Sequence, residues 1–160
     1  MQLAAVEPLP ADILEADLLA AYPGLVRRLA LVLRDEVEAE DVAQSAFARA
    51  IESRDRFRGG DARAWLFTIG LRLAFNELRR RRRARAASPD ALPTWAIRSD
   101  PDLWSALAEL EAQPRAALLL SVIDGYTHDE IAAMLDVRPG TVSSWLSRTK
   151  ERLRVALRED

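Results

Sequence analysis

Apolar residues repeat along this chain at spacings of three and four, and nowhere alternate as a strand requires. The pattern therefore predicts an all-α protein. Residues 1–10, with Pro8 and Pro10, are expected to form a loose tail. Ile13, Leu14, Leu18 and Leu19 predict a helix over 12–21, which Pro23 and Gly24 punctuate before LVRRLALVL predicts a second over 25–33. Arg34, Asp35 and Glu36 make a turn. A third helix over 37–52 gathers Ala39, Val42, Ala43, Ala46, Phe47 and Ala50 on one face. RDRFRGG (54–60) is a loop. The fourth helix, 61–85, is apolar around most of its circumference through Leu66, Phe67, Ile69, Leu71, Leu73, Ala74, Phe75 and Leu78.

The period then stops. SPDALPTWAIRSD (88–100), with two prolines and acidic flanks, is expected to be a flexible linker, with Trp95 pinning it to a domain surface. Beyond it Leu103, Leu107 and Leu110 predict a helix from about Pro101, and Pro114 opens another over 115–123. Gly125 ends that helix. Thr127 and Glu130 form a capping box for the next, where Ile131, Ala132 and Leu135 share a face. Asp136, Val137 and Arg138 turn the chain, and Pro139 suits the first position of a last helix with Val142, Leu146, Thr149 and Leu153 in one stripe. Two short helices joined by a tight turn predict a helix-turn-helix. The fold expected is two small helical domains, 11–87 and 101–158, on a tether over 88–100.

In a helix-turn-helix the second helix lies in the DNA major groove. Here its outer face carries Ser143, Ser144, Ser147, Arg148 and Glu151, hydroxyls and one guanidinium fork suited to base edges and phosphates. A hairpin serving only as core or protein interface is the plainer alternative.

Charge sharpens this picture once it is divided along the chain. The net charge of −2 does not suggest a nucleic-acid binder. Yet residues 61–87 hold eight arginines (63, 72, 79–83 and 85) against Asp61 and Glu77, while the first sixty residues and 88–113 are acidic. One basic patch in an acidic chain implies phosphate for the patch and a different partner for the acidic surfaces. The fourth helix has a polar stripe of Trp65, Thr68, Arg72, Asn76, Arg79 and Arg83 at spacings of three and four. Trp65, or Phe57 of the loop, could stack on an unpaired base; Trp65 reads equally well as core. The outer face of the third helix, with Glu38, Asp41, Gln44, Ser45 and Glu52, is either a solvated face or an acidic docking surface.

Composition excludes other classes. With 49% apolar and 30% charged residues the chain is globular and soluble. It has no Cys, so no disulfide frame or thiolate site, and its only His, His128, is expected to be solvated in a first helical turn. No run is long enough to span a membrane and no basic-then-apolar leader opens the chain, which predicts a cytoplasmic protein. Without a Cys, a second His or a Gly-rich phosphate loop after a strand, neither enzyme, cofactor nor metal site is expected.

Taken together the segments resemble the bacterial RNA polymerase sigma factors of the extracytoplasmic-function (ECF) group. AEDVAQSAFARA (39–50) is similar to the segment by which that family docks on core polymerase. DRFRGGDARAWLFTI and the arginine run after it (55–83) are similar to its promoter-melting and downstream-element segment, and 106–148 to its upstream-element domain. The resemblance implies that Asp41, Gln44 and Ser45 meet core RNA polymerase. It implies that Arg54, Arg56, Phe57 and Arg58 hold a flipped base, and that Trp65, Thr68, Arg72, Asn76, Arg79, Arg80 and Arg83 engage the downstream promoter DNA. It implies that Arg138, Thr141, Ser143, Ser144, Ser147, Arg148 and Lys150 meet the upstream element, that an anti-sigma factor controls the chain, and that it acts as a monomer.

The chain departs from the family pattern at Ser45, where an acid is common, at Leu71 and Arg72 in place of Arg-Asn, and at Asn76 in place of Asp. It departs again at Ser143 and Trp145, often basic, and at Asp136, often Gly. Two rivals stay open: a stand-alone helix-turn-helix regulator, and a sigma-like protein that titrates a partner.

Overall fold

A computed structural model describes residues 11–84 and 93–158, without the side chains of 94, 95 and 97. The tail over 1–10, Arg85, the first five residues of the tether (88–92) and the expected anchoring by Trp95 lie outside the described residues. Among those described, every regular element is helical.

Helix α1 (Ala11–Leu33) is one continuous helix, although Pro23 and Gly24 predicted a break. Pro23 withholds one N–H from the carbonyl of Leu19. Both residues are exposed, on the watery side of the helix, where solvent can satisfy that carbonyl. On the opposite side Leu14, Leu18, Ala21, Leu25 and Leu29 stay aligned and buried across the Pro-Gly pair. Continuity of packing therefore outweighs the local break signal.

Arg34, at φ 56°, reverses the chain. Asp35 then caps α2 (Glu36–Glu52), its carboxylate accepting the N–H of Glu38 at 3.0 Å. A single 3-10 turn, Arg54–Arg56, leads into the loop before α3 (Ala62–Ala84). Helices α1, α2 and α3 pack mutually as the first unit. The α1–α3 crossing is close because Gly70 has no side chain: a Cβ there would stand 2.8 Å from Leu25 Cδ1.

The segment expected to lack regular structure contains a short helix, α4 (Thr94–Ser99), with Ala96 fully buried. Asp100 caps α5 (Pro101–Ala108). Helices α6 (Ala112–Val122), α7 (His128–Leu135) and α8 (Pro139–Ala156) pack together as the second unit.

The two units are packed on one another. Helix α3 lies against α7 and α1 against α6, and a single contiguous apolar core runs through both.

Candidate nucleic-acid interface

The outer face of α2 is built by exclusion. Ala39, Val42, Ala43, Ala46 and Ala50 are buried, which leaves Asp41, Gln44 and Ser45 exposed on the other side. Tyr22 of α1 borders that face, edge-on to Phe47 at 5.9 Å. Burial and the nearby Glu40 raise the Tyr22 phenol above its ordinary value, against a hydrogen bond with Gln44. Gln44 is thus tethered, while Asp41 and Ser45 project freely enough to meet a partner.

Gly59 and Gly60, at φ near 90°, close the loop in a conformation that side chains resist. Arg54, Arg56 and Arg58 are exposed around it. Phe57 corrects an expectation. It is only 6% exposed and packs on Trp65, ring centroids 5.2 Å apart, because the 3-10 turn folds it under the loop. It cannot stack on a base as it lies; it supports Trp65, which is half-buried.

Along α3 the exposed polar residues are Arg72, Asn76, Arg79, Arg80, Arg82 and Arg83. Thr68, half-buried, gives its hydroxyl proton to the Ala64 carbonyl at 2.7 Å and keeps only acceptor capacity for anything outside. Arg79 donates to the Asn76 side chain, so these two act as a pair. Arg80 donates to Glu77 through two nitrogens, at 3.0 and 2.6 Å, which holds the Glu77 carboxyl below its ordinary range. Arg81 does not belong with the others. It is 14% exposed and faces Asp35, Glu38 and Glu77 at 3.5–3.6 Å, tying α3 to the start of α2. The basic run is therefore one internal strut among exposed cations.

In the helix-turn-helix, Thr127 Oγ1 accepts the Glu130 N–H at 3.2 Å. Glu130 answers by accepting from the Thr127 hydroxyl at 3.1 Å rather than from its backbone, a variant of the expected box. Asp136 takes the left-handed conformation, φ 55° and ψ 50°, and Val137 N–H returns to the Ala132 carbonyl at 3.0 Å. Pro139 opens α8, and Val142, Leu146 and Thr149 face inward. Arg138, Ser143, Ser147, Arg148 and Lys150 are exposed; Thr141 and Ser144 are half-buried. Arg148 donates to Ser144 Oγ at 2.7 Å. His128, expected to be solvated, has a partner: its Nδ1 lies 2.9 Å from Ser143 Oγ. Trp145 is half-buried against the core, so at this departure from the family pattern packing replaces a surface charge.

Sequence reading missed a second polar constellation, where the two units meet. The Asp124 side chain, 1% exposed, accepts Arg28 Nε at 2.7 Å, Arg28 Nη2 at 2.9 Å and Arg63 Nη2 at 2.7 Å. Arg63 reaches it over the face of Phe67, 4.4 Å from the ring centroid, through space left by Gly24. Tyr126 donates to Asp61 Oδ2 at 3.1 Å. Burial pushes the Tyr126 phenol up to about 12, with Asp61 adding to the rise and Arg63 opposing it. Buried Arg115 donates to the carbonyls of Leu31 (2.9 Å), Val32 and Leu110 (2.6 Å). Two of these are end carbonyls of α1 that its own ladder leaves unpaired. One signal was available: Arg28 and Arg115 each interrupt an apolar face, and a charge there implies a buried partner.

Two family models match the chain: Sigma-70 region 2 over residues 18–84 and Sigma-70 region 4 over residues 101–153. Among curated proteins, it is 32% identical to the ECF RNA polymerase sigma factor EcfG of Rhodopseudomonas palustris, over 93% of this chain and 87% of that one. It is 34% identical to the RNA polymerase sigma factor CarQ of Myxococcus xanthus, over 89% and 88%. Among solved structures, it resembles the sigma factor RpoE in its complex with the anti-sigma factor NepR from Bartonella quintana. The TM-score is 0.77 at 25% identity, over 94% of this chain and 99% of that one.

Proposed function

The chain belongs to the ECF group of RNA polymerase sigma factors, and from that premise we propose how its surfaces divide the work of promoter selection. As a sigma factor it directs core RNA polymerase to promoters and initiates transcription. Unit 11–84 docks on the polymerase through Asp41, Gln44 and Ser45. Its loop arginines and the α3 stripe engage the downstream element as the strands part. Opening a few base pairs costs several kcal/mol, which phosphate contacts and stacking on the half-buried Trp65 help to offset. Unit 101–158 sets the N-terminal half of α8 into the major groove of the upstream element through Ser143, Ser144, Ser147 and Arg148, with Arg138, Thr141 and Lys150 on the flanking backbone. Bond formation stays with the polymerase.

A single observation carries this division: each unit turns its apolar stripe to the shared core and leaves a polar, mostly cationic or hydroxyl-bearing stripe exposed. Among the described residues no helix is long and apolar enough to cross a membrane. We place the protein in the cytoplasm as a monomer, with an anti-sigma factor as its controlling partner.

Reconstitution with core polymerase, followed by run-off transcription from fragments of its own genome, tests the reading. Stable assembly with new start sites is expected, and Asp41→Arg should reduce assembly while leaving the helical content unchanged. Normal assembly by that variant would move the docking face elsewhere. Specific duplex binding by the protein alone, without assembly, would favour a free-standing regulator.

A further inference from the structure

His128 and Ser143 make a hydrogen bond across the helix-turn-helix, from the first turn of α7 to the fifth residue of α8. The same Ser143 hydroxyl lies 3.2 Å from the Pro139 carbonyl and donates to it. A serine hydroxyl has one proton and two lone pairs. With the proton given to Pro139, the bond to His128 runs from Nδ1–H to Oγ; with the ring protonated at Nε2 alone, Nδ1 takes the Ser143 proton instead. A protonated ring donates from Nδ1 and leaves only the first arrangement. In each case the Ser143 proton is spent within the turn and a lone pair is left for an outside group, although both side chains are exposed.

Base edges in the major groove differ in what they offer to such an oxygen. Adenine N6 and cytosine N4 are amino donors; guanine O6 and thymine O4 are keto acceptors. An oxygen that can only accept is attracted to the first pair and repelled by the second. Resting on the reading that α8 enters the major groove, we infer that His128 and Ser143 form a specificity relay, in which Ser143 selects an amino base at one position of the upstream element. His128 is the positioning residue that holds the hydroxyl in this state. Ser144 differs: it accepts from Arg148 at 2.7 Å, a bond that leaves its own proton available. Two neighbouring serines thus present opposite hydrogen-bonding characters.

The test uses the full chain joined to core polymerase, transcribing a promoter library randomised across the upstream element. The readout, position by position, is the transcript ratio for transitions, A against G and C against T, which exchange amino for keto without changing ring size. Wild type should favour the amino base at one position by roughly three- to tenfold, the scale of a single hydrogen bond. Ser143→Ala should abolish that preference there and at no other position. His128→Ala should weaken it at the same position, because the released hydroxyl can turn and donate to a keto oxygen. His128→Asn, whose amide N–H comes from nearly the place of Nδ1–H, should restore it. A His128→Ala profile identical to wild type, or a keto preference at the Ser143 position, would overturn the relay. Arg148→Ala separates the two levels. If it alters a position while the Ser143 and His128 variants alter none, only the relay fails. If none of the three alters any position, the placement of α8 in the groove fails with it.

Discussion

Asp124 is surrounded by what a buried carboxylate needs, three guanidinium N–H groups from two helices of the other unit. Such an arrangement gains little over well-packed apolar side chains, yet breaking it is costly because a charge is left buried alone. Asp124→Asn should therefore destabilise the protein by about 3–5 kcal/mol in chemical denaturation, since Arg28 is 6% exposed and has no escape to water. Arg63→Ala should cost clearly less, because its side chain is 36% exposed. Equal losses would mean that burial does not set the cost. Tyr126 gives a pH signature. Its folded pKa of about 12 is raised above the ordinary 10.0, so its contribution is complete below pH 10 and is lost as pH rises toward 12. Denaturation midpoints should fall over that window in wild type and fall less in Tyr126→Phe. At this scale the sequence analysis missed the cluster. Arg28 in an apolar stripe was an available sign of a buried charge, but its partner stands 96 residues away and no local pattern points that far. The direction of the Ser143 proton, likewise, depends on a carbonyl and an imidazole that only the folded turn brings together.

Elements whose signals are local were legible. Thr127, Asp136 and Pro139 each meet a requirement of the backbone within a few residues: α7 begins and ends, and α8 begins, where those residues direct. Elements decided by packing were not. Pro23 and Gly24 carry a strong local break signal, and α1 ignores it because its buried face is continuous. Phe57 lay in a loop that read as exposed and is held beneath it by Trp65. Gly70 is the reverse case, a residue that looks permissive and is required. Gly70→Ala should destabilise by about 1–3 kcal/mol in thermal or urea unfolding, because the new methyl would displace Leu25 at the α1–α3 crossing. Within the arginine run the structure separates two roles. Arg81→Ala should lower stability and leave the salt dependence of DNA binding unchanged. Replacing Arg82 and Arg83 together should leave stability intact and flatten the salt slope by about 2. If Arg81→Ala changed the slope as much as either neighbour, the strut would be a phosphate contact after all.

For the whole molecule, the amino-acid pattern conveyed an all-helical chain and its helix-turn-helix but not how the helices sit. Local periodicity records which face of each helix is apolar; it does not record that α3 meets α7 and α1 meets α6. The contacts that join the units combine the shared apolar core with the Asp124 and Arg115 hydrogen bonds, and they close over long stretches of chain. That separation has a consequence on the ribosome. At roughly 5–20 residues per second, the 96 residues between Arg28 and Asp124 take about 5–20 s to synthesise. During that interval Arg28 must keep its charge in water, and the end carbonyls of α1 have no Arg115 to cover them. The first unit is therefore made with an unfinished edge, hydrated where the mature protein is dry. A nascent chain stopped before residue 115 should show faster amide exchange along the last turn of α1 than the completed protein.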